Sequence, residues 1–486
     1  MKIVLKYTMI LLMAISFVAC TKDELTDLQP ISSIPSDKAF LTLNDATNAV
    51  NGVYGTWLGR RPAYLSSFIS DELRLGTVGY RNVGNILFNW QYVSDAQDWR
   101  DGENGGAWTN LYQVIDRANR ALELMTPVPT ANNSEAGLKV QYKGELIALR
   151  AMAHLELLRW YSKTIEYTPG ELGVVLQTTY VKAPGSYRPP RSTQEEVITQ
   201  VIEDLAEARN LIPSSFVDIG RVTKNAVIAT QARVALHTKN WQGVVDRSTE
   251  VIPLQPISSI ANYPALWNTR SLLPDQSTEV IWKLNVTISN LGAAIGSLWQ
   301  DLGGAVQAQP SDKLVNTFDP ANDVRYNTFF RTPLTTLPSP INLIAKYGAV
   351  IAGNGENFQY DIKMIRTSEI LLSRAEAYAE LDMLTEANND LNTLRTNRIT
   401  GYVHVPLLDK ASLINEIMLE RFKELCFEGH RYFDLKRRSL PIVRELVDVA
   451  GNASILQLNP TDAKYLLPIP QQEVAANPNV TQNPNY

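Results

Sequence analysis

Three glutamates, Glu420, Glu424 and Glu428, recur every four residues near the C-terminus, and His430 follows them. On a helix this spacing lines the carboxylates along one face, where they repel one another unless cations stand close by. Such a group offers general acid–base chemistry or metal ligation. The stretch has no H-E-x-x-H spacing, and Arg421, Lys423, Arg431, Lys436, Arg437 and Arg438 surround it with counter-charges. Residues 416–438 are therefore expected to form a structural ion-pair network that closes a core, with no metal and no cofactor. Ile417, Met418, Phe422, Leu425 and Phe427 supply the core-facing stripe, and Gly429 is expected to cap that helix before another starts at Arg431. The other histidines, His154, His237 and His404, are scattered, and there is no G-x-S-x-G, P-loop or dinucleotide-binding motif. The expectation is a protein that is not an enzyme.

A second set of residues suits binding. A neutral sugar presents apolar C–H faces and a ring of hydroxyls, so a protein holds it with stacked aromatics flanked by Asp, Asn, Gln or Arg. From Leu58 to Ala107 the sequence is irregular and glycine-rich. It sets Tyr80 beside Arg81 and Asn82, Trp90 between Asn89 and Gln91, and Trp99 between Asp98 and Arg100. Much later, Trp299 is followed by Gln300 and Asp301. These are the candidate ligand-binding residues. The competing role for any single Trp in such a loop is a plug that ties the loop to the body. Trp90, preceded by Ile86-Leu87-Phe88, suits the plug best, whereas Trp99 and Trp299 suit the platform, with Tyr80 next. Trp57, Trp108, Trp160 and Trp241 fall within helical patterns and are assigned to packing.

The elements that must hold these loops are helical. Apolar residues at spacings of three and four predict helices over 45–57, 108–125, 138–163, 193–211, 224–237, 241–252, 365–381 and 386–399. Ala375, Ala377, Ala379 and Ala387 let two of them approach closely, in the manner of a tetratricopeptide pair. Residues 253–364 break the pattern with Pro, Gly, Ser and Asn, and hold candidate strands over 280–286 and 342–347. The reading is a mostly α fold of tetratricopeptide-like helix pairs with a loop-rich subdomain containing a few short strands. Residues 41–252 form an N-terminal helical part, 253–364 an insertion, and 365–486 a C-terminal part that packs with the first as one domain.

The chain has 486 residues, with 45 basic and 50 acidic side chains and a net charge of -5. It contains no long basic block, so no nucleic-acid groove is expected. Lys2 and Lys6 precede an apolar run over 7–18 that ends in Ser16-Phe17-Val18-Ala19-Cys20. That run is too short to span a membrane and reads as a signal peptide over 1–19. A Cys at the cleavage point resembles a lipobox, which implies acylation of Cys20; the alternative is an ordinary secretory signal with an incidental Cys. Residues 20–40, with Pro30 and Pro35, read as a lipidated tether. Cys426 is the other cysteine, so no disulfide framework is expected.

The run ER-x-x-EL-x-FEGHRYFDLKRR over 420–438 resembles the C-terminal signature of the SusD/RagB family, outer-membrane nutrient-binding lipoproteins of Bacteroidetes-type bacteria. YLLPIP over 465–470, NPNVTQNPNY over 477–486 and ALRAMAHLELLRWYS over 148–162 are similar to further parts of that family. The acidic pair Asp23-Glu24 after Cys20 resembles the Bacteroidetes signal for surface export. The resemblance implies an α-α superhelix of about four helix pairs, a lipid anchor in the outer membrane with exposure at the cell surface, and an oligosaccharide or polysaccharide ligand held by loops on one face. It also implies a SusC-like TonB-dependent transporter as partner. Two alternatives stand beside it: a RagB-like member that binds peptides, and a protein-interaction scaffold, in which Trp99 and Trp299 would be buried.

Overall fold

The computed structural model of the chain describes residues 39–57, 60–76, 84–94, 103–163, 170–268, 279–286, 295–300, 305–331, 341–348, 360–449 and 455–486. The helices start where the sequence offers caps. Helix α1 (Leu43–Thr56) begins at Thr42, whose hydroxyl accepts from the Asp45 amide while the Asp45 carboxylate reaches back to the Thr42 amide. Helices α2 (Arg60–Ile69), α3 (Glu103–Leu124) and α4 (Asn133–Tyr161) follow, the last capped by Asn132. Thr193 and Glu196 make a second capping box for α5 (Gln194–Leu211). Then come α6 (Lys224–His237), α7 (Trp241–Val251), α8 (Thr367–Glu380) and α9 (Leu384–Thr396). Asp409 caps α10 (Lys410–Glu424), which is followed by α11 (Arg431–Arg437).

Consecutive helices joined by short turns pack as hairpins: α3 on α4, α6 on α7, and α8 on α9. In the last pair Ala375, Ala379 and Ala387 are fully buried, and Leu391, Leu394, Leu413 and Ile417 fill the space between α9 and α10. Each such Leu or Ile contributes roughly 1.5–3 kcal/mol by leaving water. At the other end of the core, Trp160 of α4 stacks on Tyr432 of α11 with ring centroids 5.2 Å apart.

The strands are short and pair antiparallel: β1 (Leu73–Leu75), β2 (Val280–Leu284), β3 (Ala308–Pro310), β4 (Phe330–Arg331), β5 (Leu343–Ile344), β6 (Ile362–Arg366), β7 (Ile442–Val443) and β8 (Gln457–Leu458). β1 pairs with β3, β2 with β6, β4 with β5 and β7 with β8. In three places the fold departs from the sequence-based expectation. The stretch after Leu58 is not irregular throughout, because RRPAYLSSFI forms α2 with Tyr64, Leu65, Phe68 and Ile69 buried. Residues 365 and 366 belong to β6 rather than to a helix, since pairing with β2 claims their backbone. Gly429 does not cap α10, which ends at Glu424 with Leu425 as its C-cap. Instead Phe427 and Gly429 take left-handed backbones at φ 62° and 91° and turn the chain into α11. Only glycine fits at the second position, where a Cβ would lie 2.9 Å from the Pro62 carbonyl carbon.

Candidate functional site

The glutamate row is the centre of a buried ion-pair network. Glu424 accepts from Arg325 (3.1 Å), Arg366 (2.9 Å), Arg398 (3.1 and 3.2 Å) and the Tyr263 hydroxyl (3.1 Å). Glu420 accepts from Arg325 at 2.6 Å and Arg395 at 2.7 Å, and Glu428 from Arg366 and Lys346 at 2.7 Å each. The β2–β6 pairing sets Glu279 beside Arg366 (2.7 Å), and Arg398 reaches the same carboxylate (2.9 Å). Burial alone would raise these carboxyl pKa values, but the guanidinium groups outweigh it. They hold Glu424 well below the usual carboxylate range and, with Lys423, hold Glu420 at about 2. Glu424, which accepts five hydrogen bonds, has no lone pair left for a proton or a metal. His430 stands 3.9 Å from Glu369; burial pushes its pKa down to about 4, so the ring is neutral at neutral pH.

The rest of the signature closes the same core. Arg421 donates to Asp434 (2.9 Å), Arg437 to Glu376 (2.5 and 2.6 Å) and Arg431 to Asp71 (2.7 and 2.8 Å). Lys436 donates to the carbonyls of Arg159 and Ser162. Asn483 ties the C-terminal tail to the Tyr161 and Leu467 carbonyls.

The candidate ligand residues divide. Tyr80, Arg81, Asn82, Asp98, Trp99, Arg100 and Asp301 lie outside the described residues. Trp299 is a correction: it is 1% exposed, with its ring on Phe68 (centroids 6.2 Å apart) and against Phe427 (5.8 Å). Its neighbour Gln300 is buried as well. The polar residues after Trp299 suggested an outward ring, but Phe68 of α2 and the turn at Phe427 cover it, and both are remote in sequence. Trp90, 4% exposed, is equally unable to offer a ring face, since its indole N–H donates to the Ile69 carbonyl at 2.9 Å and Arg444 lies over its ring.

The frame nevertheless brings segments of the two candidate regions together. The Gly76 amide donates to the Gln307 carbonyl at 2.9 Å, and the Gln307 amide donates to the Trp299 carbonyl at 2.8 Å. Gln300 bridges Val306. Gly76, just before residues 77–83, and Gln300, just before 301–304, are thus both held by residues 306–307, which lead into β3. Gly84, at the far end of 77–83, packs on Phe68, where a Cβ would meet the ring at 2.2 Å. Phe68 and Arg444 escaped the sequence reading because no local pattern marks them. Two open clefts lie elsewhere, one of about 580 Å³ floored by Leu122, Met125, Val140 and Ile147, the other of about 360 Å³ beside Lys436, Asp462 and Tyr465.

Residues 341–486 match a family model described as the SusD family, and residues 45–236 match one described as starch-binding, associating with the outer membrane. Among similar proteins, a SusD-like protein of Formosa agariphila is 24% identical over 78% of this chain and 79% of its own length. Another from the same organism is 25% identical over 99% of both chains. Solved structures share the fold. A SusD superfamily protein of Bacteroides vulgatus superposes with a TM-score of 0.79 at 22% identity, and one of Bacteroides thetaiotaomicron with 0.78 at 24%, each covering 92% of this chain and 100% of the other. A third, a laminarin-binding SusD-like protein, gives 0.68 at 18% identity over 92% of this chain and 100% of its own.

Proposed function

We infer the function from one premise: the chain belongs to the SusD/RagB family. It is a glycan-binding protein of the outer membrane, and it works by capture rather than catalysis. In this reading Cys20 carries the lipid anchor, the body stands at the cell surface, and captured oligosaccharide passes to a SusC-like TonB-dependent transporter. The observation that carries the glycan assignment is the match of residues 45–236 to a starch-binding, outer-membrane-associated family. A laminarin-binding protein of the same fold supports it. The ligand face is assigned to the loops around β1 and β3, with Trp99 as stacking platform and Tyr80, Arg81, Asn82, Asp98, Arg100 and Asp301 as flanking groups. Gly76 and Gln300, both tied to residues 306–307, give those loops a common base.

The test is binding of the mature protein, beginning after Cys20 but without its lipid, to an array of polysaccharides and peptides. Binding to a glycan is expected, and Trp99→Ala should weaken it about tenfold, as for truncating one anchor side chain. A hit among peptides only would move the chain to the RagB-like reading. The burial of Trp299 favours a second reading, a protein-interaction scaffold. It predicts no glycan hit at all.

A further inference from the structure

The cleft of about 360 Å³ beside Lys436 sets a buried charge within reach of solvent. Three charged residues line it. Two are answered at the surface: Lys163 is exposed and pairs with Glu171 at 3.0 Å, and Asp462, also exposed, accepts from the Asn459 amide at 2.7 Å. Lys436 is 6% exposed and makes no ion pair among the described residues. Its ammonium donates to the Arg159 and Ser162 carbonyls at 2.7 and 2.6 Å, which uses two of its three N–H groups. These carbonyls end α4, whose dipole presents roughly half a negative charge there. The rest of the lysine's charge is unanswered, and burial, with Arg159 close by, pushes its pKa down to about 7. A carboxylate in the cleft would supply both the counter-charge and the third acceptor.

The backbone of the cleft wall is a second, independent observation. Ser439 and Asn485, both on that wall, take left-handed backbones at φ 52° and 65°. Glycine meets such angles at less cost, so what these residues add is a hydroxyl and an amide. Ser439 is held by the turn that ends α11, where the Leu440 amide donates to the Leu435 carbonyl at 2.9 Å. Asn485 is carried by the tail that Asn483 ties to the Tyr161 and Leu467 carbonyls. Thr461 brings a second hydroxyl, and Pro460 and Pro484 bring apolar C–H surface. A buried cation, neutral hydrogen-bonding groups and apolar patches together match a ring that carries one carboxylate among its hydroxyls. The volume lies near the lower end of small-molecule sites, which suits one such ring.

We propose that this cleft binds a sugar acid, with the carboxylate on Lys436 and the hydroxyls on Ser439, Thr461 and Asn485. The choice of a sugar acid among carboxylates rests on the glycan-binding reading, but no residue of the cleft belongs to the loops around β1 and β3. The test is titration calorimetry of the mature protein with galacturonate and glucuronate, with galactose, glucose and acetate as controls. At least one of the two acids should bind tenfold or more tighter than every control. Thr461→Trp, which fills the rim and leaves Lys436 in place, should weaken that binding at least tenfold. Lys436→Met keeps the stem and removes the charge, and should reduce the acid to the affinity of its neutral sugar. Acids that bind no tighter than the controls, or an affinity that Thr461→Trp or a folded Lys436→Met leaves unchanged, would overturn the proposal. If Lys436→Met does not fold, Thr461→Trp decides alone. A protein that takes a sugar acid here but no glycan on the array would lose the capture reading and keep this site; glycan binding on the array with no sugar acid taken would do the reverse.

Discussion

At the scale of single residues, the network around Glu424 illustrates why buried charge is costly to break. Three guanidinium groups converge on one carboxylate that has no contact with water. Replacing Glu424 by Gln keeps the shape but leaves buried cations short of a counter-charge, and should cost about 3–5 kcal/mol, read as a fall in the urea midpoint. Two other groups give stability an opposite dependence on pH. The His430 pKa is depressed to about 4 from 6.5, so its contribution is full above 6.5 and is lost as pH falls toward 4. Glu72 is the reverse. Burial raises its pKa to about 7, partly offset by the Ser67 hydroxyl bond at 2.5 Å, so its contribution is full below about 4.5 and is lost as pH rises through 7. Glu72→Gln cannot ionise, so its melting temperature should gain on the wild type between pH 4.5 and 8. A constant difference across that range would rule this out.

At the scale of elements, two glycines separate backbone need from mere tolerance. Gly429 has a φ of 91° and stands against the Pro62 backbone in the turn between α10 and α11. Gly137 lies within α4 with open space where a Cβ would project. Gly429→Ala should destabilise by more than about 1 kcal/mol, whereas Gly137→Ala should stabilise by about 0.4–1 kcal/mol, both measured by thermal melting. The capping boxes at Thr42 and Thr193 and the alanine contacts of α8 with α9 are short-range features, and the sequence displays them. The helix α2 was missed because its apolar residues, Ala63, Tyr64, Leu65, Phe68 and Ile69, sit in a glycine-punctuated region and make no long periodic run. The β2–β6 pairing has no local mark because its two strands, one inside the insertion over 253–364 and one at its end, are far apart in sequence.

At the scale of the whole molecule, the predicted anchor and the body can be tested apart. Among the described residues no helix is long and apolar enough to cross a membrane, and the proposed acylation at Cys20 has its own test. A palmitate analogue should label the wild-type chain and not Cys20→Ser, and the variant should leave the membrane fraction. Labelling of Cys20→Ser would place the lipid elsewhere or remove it from the account. Cys426, fully buried, is not an alternative acceptor on the folded surface.

The sequence by itself determined the mostly helical frame, the family signature and the structural role of the Glu420–Glu424–Glu428 row. All of these are written in periodicity and local charge balance, which act over a few residues. Only the tertiary structure decided which cations answer the row: Arg325 meets Glu424 across 99 residues and Arg366 across 58. It also decided that Trp299 belongs to the core and that Arg444 joins α2 to Trp90. Whether a side chain faces solvent or a partner depends on what a distant segment brings against it, and neighbouring residues carry no record of that.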